Sequence, residues 1–194
     1  MQRHEYKSYQ EYLDVQYQTN INRKFVTHLK FDLRAEDIKN IKSVFSGKRV
    51  LCVGCREDAE VDDFTKAGFQ AKGIDILATE RQVRGDMNRL DQYFKQGEFE
   101  VGYSCHTLEH TYDPMKVLAM IRKVCTEGVY LVLPLRQYPN AEEPIFLKIM
   151  QTREIEDLGE LEQGLGKFKL LGKWLRDDPY LPSGAEIAFA IRFA

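Results

Sequence analysis

The residues best placed to do chemistry are Gly54, which closes the apolar run Val50, Leu51 and Val53, and Asp75, which closes a second short run from Gln70 to Ile74. They lie about 20 residues apart, the separation at which a strand–helix–strand unit sets a glycine turn beneath a nucleoside and an acid beside its ribose. Between them, Glu57, Asp58 and Glu60 occupy the expected first turn of a helix, where the macrodipole favours negative charge. A dinucleotide site would need further glycines so that backbone can approach a pyrophosphate, but Cys55, Arg56 and Glu57 follow Gly54 instead. Carboxylates at the helix mouth repel a diphosphate. They suit a nucleoside with cationic groups and no phosphate, which describes S-adenosylmethionine, with its sulfonium and ammonium, better than a nicotinamide dinucleotide.

Further candidates follow. His106 and His110 come after a predicted strand, Glu98 to Ser104, and an imidazole can be neutral near pH 7. His106 is the better placed general base, if the acceptor must lose a proton. The alternative for each histidine is a hydrogen bond that fixes the loop, and His110, just before Asp113, suits that role more. Glu109 reads as a solvated or loop-fixing carboxylate. Arg136, Gln137 and Tyr138 follow another apolar strand; Arg136 could meet an anionic acceptor group or lie on the surface. Arg56 could bind a ligand carboxylate or pair with Glu60. Cys52 and Cys55 have a C-x-x-C spacing, but Cys52 lies within an apolar strand, where it acts as a small buried hydrophobe, and no second pair completes a zinc site.

The elements that position these groups follow from periodicity. Tyr6, Tyr9, Leu13 and Tyr17 form one stripe of a helix from about Tyr6 to Tyr17, read either as packing or as a lid over a ligand. Asp37 to Phe45 is a second helix. Val61, Phe64 and Ala67 continue the helix after Gly54, and Gly68 stops it. A short strand from Gln82 to Arg84 places Asp86 and Met87 beyond its carboxyl end, and Leu90 to Phe94 suits a short helix. Asp113-Pro114 starts a helix with Val117, Leu118, Ile121, Val124 and Cys125 on its apolar face. Gly128 precedes the strand VYLVLP. Strand–helix alternation implies a doubly wound, mostly parallel sheet. The tail differs: a helix from Pro144 to about Leu158, then strands Phe168 to Leu175 and Glu186 to Phe193, joined too closely for anything but an antiparallel hairpin.

With 194 residues, the chain is expected to form one domain with a substantial core. Its divisions are a helical cap over 1–46, a cofactor-binding core over 47–134, and an acceptor-side helix with the hairpin over 135–194. Its 28 basic and 30 acidic residues give a net charge of -2, no electrostatic reason to expect nucleic acid. No apolar stretch is long enough to span a bilayer, and the first residues lack the apolar centre of a signal peptide. The expectation is a cytoplasmic protein, with a homodimer possible. Four cysteines are too few for a disulfide scaffold.

VLCVGC, the GID that ends the second strand, GDMNRL and FEVGYSCHTLEHTYDP occur in the order seen in the class I S-adenosylmethionine-dependent methyltransferases. From Lys48 to Pro134 the chain resembles that family, in particular its small-molecule branch. The resemblance implies a seven-stranded Rossmann-like α/β sheet and S-adenosyl-L-methionine as cofactor. It implies that Gly54, Cys55 and Arg56 face the methionine end, that Asp75, with Ile76 beside it, takes the ribose hydroxyls, and that Asp86 and Met87 meet the adenine. Ser104, Cys105 and His106 line the region of the methyl group. His106, His110, Arg136, Tyr138 and Tyr9 are the residues expected to face a small-molecule acceptor. The sequence departs from the family at Cys52, where an acid is usual, and at Arg56, where a second glycine is usual. Glu57, Asp58 or Glu60 is the candidate to hold the ammonium instead. The alternative is a non-catalytic member that binds or scaffolds.

Overall fold

A computed structural model describes residues 6–21, 31–55, 58–134, 161–177 and 185–194. The strands are β1 (Arg49–Val53), β2 (Gln70–Asp75), β3 (Val83–Arg84), β4 (Phe99–Cys105), β5 (Cys125–Pro134), β6 (Phe168–Asp177) and β7 (Ala185–Phe193). They form one sheet in the order β3-β2-β1-β4-β5-β7-β6. The first five run parallel to their neighbours, whereas β7 is antiparallel to both β5 and β6. This is the expected doubly wound sheet with its antiparallel hairpin. Strand order reverses between β1 and β4, and ligands of such sheets bind outside the carboxyl ends at that point.

Alternation along each strand divides the core into two layers. Leu51, Val53, Leu131 and Ile187 face α4 (Pro114–Val124). Val50, Cys52, Val101, Tyr103 and Tyr130 face α2 (Phe31–Val44) and α3 (Asp58–Lys66), with Ile38, Ile41, Val61 and Phe64. On the second face β7 offers Ala190 opposite Tyr130 and Ala188 opposite Trp174, small residues that leave room for stacked rings. The Tyr130 and Trp174 ring centroids are 5.6 Å apart.

Several boundaries differ from the sequence expectations. The first helix, α1, runs Tyr9–Ile21 rather than starting at Tyr6. The second begins at Phe31, ahead of Asp37, which lies inside it facing the sheet. After β3 the chain makes a 3-10 helix over Met87–Gln92 instead of a helix from Leu90, because Asp86 caps it by accepting from Asn88 N. Helix α4 starts as expected, with Asp113 accepting from Lys116 N at 2.9 Å and Pro114 in the first turn. It runs directly into β5, which therefore begins at Cys125 rather than after Gly128. A four-residue helix, α5 (Glu162–Leu165), precedes β6. The predicted helix from Pro144 to Leu158 lies outside the described residues.

Candidate functional site

Gly54 leaves β1 with a φ of 78°, a left-handed conformation open to glycine at little steric cost. Its N–H donates to Ile74 O at 2.8 Å, tying the turn to β2, and an added Cβ would overlap the side chain of Thr107. The Thr107 hydroxyl lies 3.1 Å from Cys105 O and 3.4 Å from Gly54 O, so the exits of β1 and β4 lie against each other. At the end of β2, Asp75 is 9% exposed, and its Oδ1 accepts from Leu77 N at 2.7 Å. Ile76 occupies the turn beyond it, its carbonyl accepting from Arg84 Nε at 3.1 Å.

Asp86 lies past β3. Its Oδ1 caps the 3-10 helix, and its Oδ2 accepts from the Tyr9 hydroxyl at 2.6 Å. Burial first, then the Asp86 charge, raise the Tyr9 phenol above its ordinary range, so it acts here as a donor. Met87 packs into the α4 layer. Tyr12, which the sequence stripe omitted, is the most buried tyrosine of α1 and donates to His110 O at 3.1 Å. With Tyr6, Tyr9 and Tyr112 it makes an aromatic cluster, the Tyr9 and Tyr112 centroids lying 5.2 Å apart. Helix α1 thus spans from the exit of β3 to the exit of β4, and its tyrosines pack and cover at once.

His106 is the one non-glycine residue with positive φ, 50°, among those described. Its N–H donates to Val132 O at 3.0 Å, and its Nε2 is 2.6 Å from Glu186 Oε2. Glu186 also meets Arg176 Nε, and Arg176 Nη1 is 2.7 Å from Asp37 Oδ1. Tyr103 donates its hydroxyl to Asp37 Oδ2 at 2.8 Å. The chain His106–Glu186–Arg176–Asp37–Tyr103 joins β4, β7, β6 and α2 beneath the ligand edge. Burial lowers Arg176, but Asp37 and Glu186 outweigh it and hold the guanidinium charged. Burial also raises Asp37, against the pull of Arg176 and Tyr103. Sequence reasoning missed Glu186, Arg176 and Thr107 altogether. The available signal was a lone acid at the head of an apolar strand, with an arginine at the facing position of a predicted hairpin.

The acids after Gly54 do not form a simple negative mouth. Asp58 accepts from Thr79 Oγ1 at 2.7 Å and Gln82 Nε2 at 3.0 Å, fastening the loop before β3, and those bonds lower its pKa. Glu60 is turned inward, where Oε1 is sealed from solvent without a hydrogen-bond partner. Cys55 is buried with its thiol against Gly73, which leaves its backbone to serve a ligand. Burial raises the thiols of Cys52 and Cys55, in keeping with packing rather than redox work. Cys105 is partly buried against the α2 layer. His110 Nε2 lies 3.9 Å from buried Glu109. Arg56, Glu57, Arg136, Gln137 and Tyr138 lie outside the described residues. Among the described residues no group of three or more histidines, cysteines and acids could hold a metal, and no helix is long and apolar enough to cross a membrane.

A methyltransferase domain family matches residues 9–158. The chain belongs to this methyltransferase domain family. S-adenosyl-L-methionine is the cofactor that goes with this family. Solved structures share the fold at low identity. One is the 1,6-didemethyltoxoflavin N1-methyltransferase of Burkholderia thailandensis, bound to 1,6-didemethyltoxoflavin and S-adenosylhomocysteine; it is 13% identical with a TM-score of 0.68, over 96% of this chain and 89% of that one. Another is the magnesium protoporphyrin IX methyltransferase of Synechocystis PCC 6803 with S-adenosylhomocysteine, 10% identical with a TM-score of 0.60, over 89% of each chain. A methyltransferase of Archaeoglobus fulgidus is 16% identical with a TM-score of 0.52, over 82% of this chain and 92% of that one. No curated protein matches this chain in sequence.

The residues present fit such a cofactor. Glu60 Oε1, Asn88 Oδ1 and Ser104 Oγ are buried polar atoms without partners, on segments at or beyond the carboxyl ends of β1, β3 and β4. Buried polar atoms are ordinarily satisfied, so polar atoms stranded along one edge suit a polar ligand.

Proposed function

We propose that this methyltransferase transfers the methyl group of S-adenosylmethionine to a small-molecule acceptor. The observation that carries the reading is one sheet edge where the left-handed turn at Gly54, Asp75, Asp86 and the Ser104–His106 exit converge beneath Tyr9 and Tyr12. When bound, the cofactor supplies an electrophilic methyl on a sulfonium, and the protein's work is alignment. Gly54, with Cys55, lets backbone approach the methionine end, Asp75 takes the ribose hydroxyls with Ile76 beside it, and Asp86 and Met87 border the adenine. Ser104 and Cys105 lead to the reacting region. The tyrosines of α1 keep water from the edge. His106, turned by Glu186, faces the acceptor and takes its proton where the nucleophile is a hydroxyl. The toxoflavin and protoporphyrin enzymes act on small molecules, which supports that acceptor class here.

Calorimetric titration with S-adenosylhomocysteine tests the site. The wild type should bind, and Asp75→Ala should lose most of the affinity; tight binding of NADH with none of S-adenosylhomocysteine would overturn the reading. Transfer of labelled methyl from the cofactor to any small molecule of a cell extract separates an enzyme from a binding-only member, the reading that Cys52 and Arg56 leave open.

A further inference from the structure

Glu60 lies in the first turn of α3, yet its Oε1 is closed to solvent and has no hydrogen-bond partner among the described residues. Its charged surroundings come from every element packed on it. Arg34 and Asp37 belong to α2, Asp75 to β2 and Asp63 to α3 itself, with the thiols of Cys52 and Cys55 close enough to feel its charge. Among the described residues Arg34 is the one cation of the group, and Asp63 already holds it, Nε to Oδ2 at 3.1 Å. An ionised carboxylate with an empty lone pair, set among other acids, is costly to bury. Its neighbours do not offset that cost.

A suitable occupant must bring positive charge and an N–H or O–H donor to Oε1. A sulfonium has the charge and no such donor; an ammonium has the charge and three donors. The cofactor carries an ammonium at its methionine end, the end assigned above to the Gly54 turn that immediately precedes α3. Of the three acids in that segment, Asp58 is committed to Thr79 and Gln82, and Glu57 lies outside the described residues. Cys52 supplies the complement: a small side chain on the face of β1 turned toward α2 and α3, near enough to Glu60 for that carboxylate to help raise its thiol.

We propose that Glu60 receives the cofactor's ammonium, so that α3 supplies the carboxylate that β1 does not carry at Cys52. This rests on the reading of the edge as an S-adenosylmethionine site. Binding is then coupled to a proton. Burial, with Asp37, Asp75 and Asp63 adding to it and Arg34 opposing it, pushes Glu60 up to about 8 from an ordinary 4.5. Without the cofactor Glu60 is therefore mostly protonated at pH 7, and the ammonium displaces that proton: carboxylic acid plus ammonium gives the carboxylate–ammonium pair plus H⁺ released to solvent. Asp37 is also raised by burial, so the source of the proton has to be shown by substitution.

The test is calorimetry with two probes. S-adenosylhomocysteine carries the ammonium; 5′-methylthioadenosine has the same nucleoside without the amino-acid portion. For the wild type, affinity for S-adenosylhomocysteine should rise about tenfold from pH 6 to pH 7. In buffers of different ionisation enthalpy, binding should release close to one proton. Glu60→Gln should abolish the release and weaken S-adenosylhomocysteine about tenfold at pH 7.5, leaving methylthioadenosine within about twofold. Equal weakening of both probes, or wild-type binding of S-adenosylhomocysteine with no proton released, overturns the role of Glu60 and leaves the cofactor site standing. Failure of the wild type to bind either probe overturns the site and the proposal together. The wild-type proton count is read without the variant, and its absence overturns the role of Glu60 even where Glu60→Gln does not fold.

Discussion

Glu186 and Glu60 are both carboxylates closed into the ligand edge of one sheet, and their surroundings differ. Glu186 meets Arg176 with one oxygen and His106 with the other, and Arg176 passes on to Asp37 and Tyr103. Among the described residues Glu60 has one oxygen with no donor, and the cation that acts on it, Arg34, is already held by Asp63. A charge-paired network makes a rigid support, because each member is costly to remove, even though Arg176 Nη2 is buried without a hydrogen-bond partner among the described residues. A carboxylate oxygen left without a donor marks where a cation from outside belongs. The contrast divides the edge into a fixed half, under His106, and a receptive half, under the Gly54 turn.

Breaking the fixed half should give the largest effect. Glu186→Ala leaves the Arg176 guanidinium buried beside the gap and should destabilise by about 3–5 kcal/mol, read from denaturant midpoints at constant slope. Breaking the receptive half should act on pH dependence rather than on folding at one pH. In the folded protein Glu60 holds its proton up to about 8, whereas the ordinary value is 4.5. Between those values the unfolded chain binds fewer protons, so the contribution of Glu60 to stability falls as pH rises. Glu60→Gln should flatten that decline in melts from pH 4.5 to 8. Should the decline persist unchanged, Glu60 is not the group responsible.

Smaller changes sharpen the contrast. Tyr103→Phe removes the donor 2.8 Å from Asp37 Oδ2 and should cost about 1–3 kcal/mol, since the carboxylate is 1% exposed. Tyr9→Phe removes the bond to Asp86 from a half-buried hydroxyl and should cost about 1 kcal/mol. If both cost the same, the network beneath the sheet is no more rigid than the cover above it.

Much of the fold was legible because it rests on short-range pattern. Val50 to Val53, Phe99 to Tyr103 and Val129 to Leu133 are apolar runs bounded by turn residues, and Asp113-Pro114 is a helix start with a local mechanism. Boundaries failed where packing overrode local signal. Helix α2 reaches back to Phe31, ahead of Asp37, and β5 reaches back to Cys125 because α4 leads into it without a loop. Strand ends placed Asp75, Asp86 and His106 at one edge in advance, since chain order sets which residues follow each strand. What was not legible is where side chains turn. Asp58 and Glu60 are two residues apart in the same helical turn; one fastens a loop and the other turns an oxygen inward out of reach of solvent, a difference set by Thr79, Gln82 and Arg34. The chain of contacts from Asp37 to Glu186 joins residues far apart in sequence, which no local spacing announces.

The backbone at His106, with a φ of 50°, limits which amino acids that position can accept before any question of proton transfer arises. Asparagine, aspartate and glycine tolerate a left-handed turn, whereas valine, isoleucine and threonine resist it through crowding at Cβ. A saturation library here would be thinned first by folding, with branched residues lost whatever the reaction requires. Asparagine, which keeps the turn and discards the imidazole, is therefore the informative comparator, and alanine or valine scans at this codon would confuse a broken loop with a missing ring.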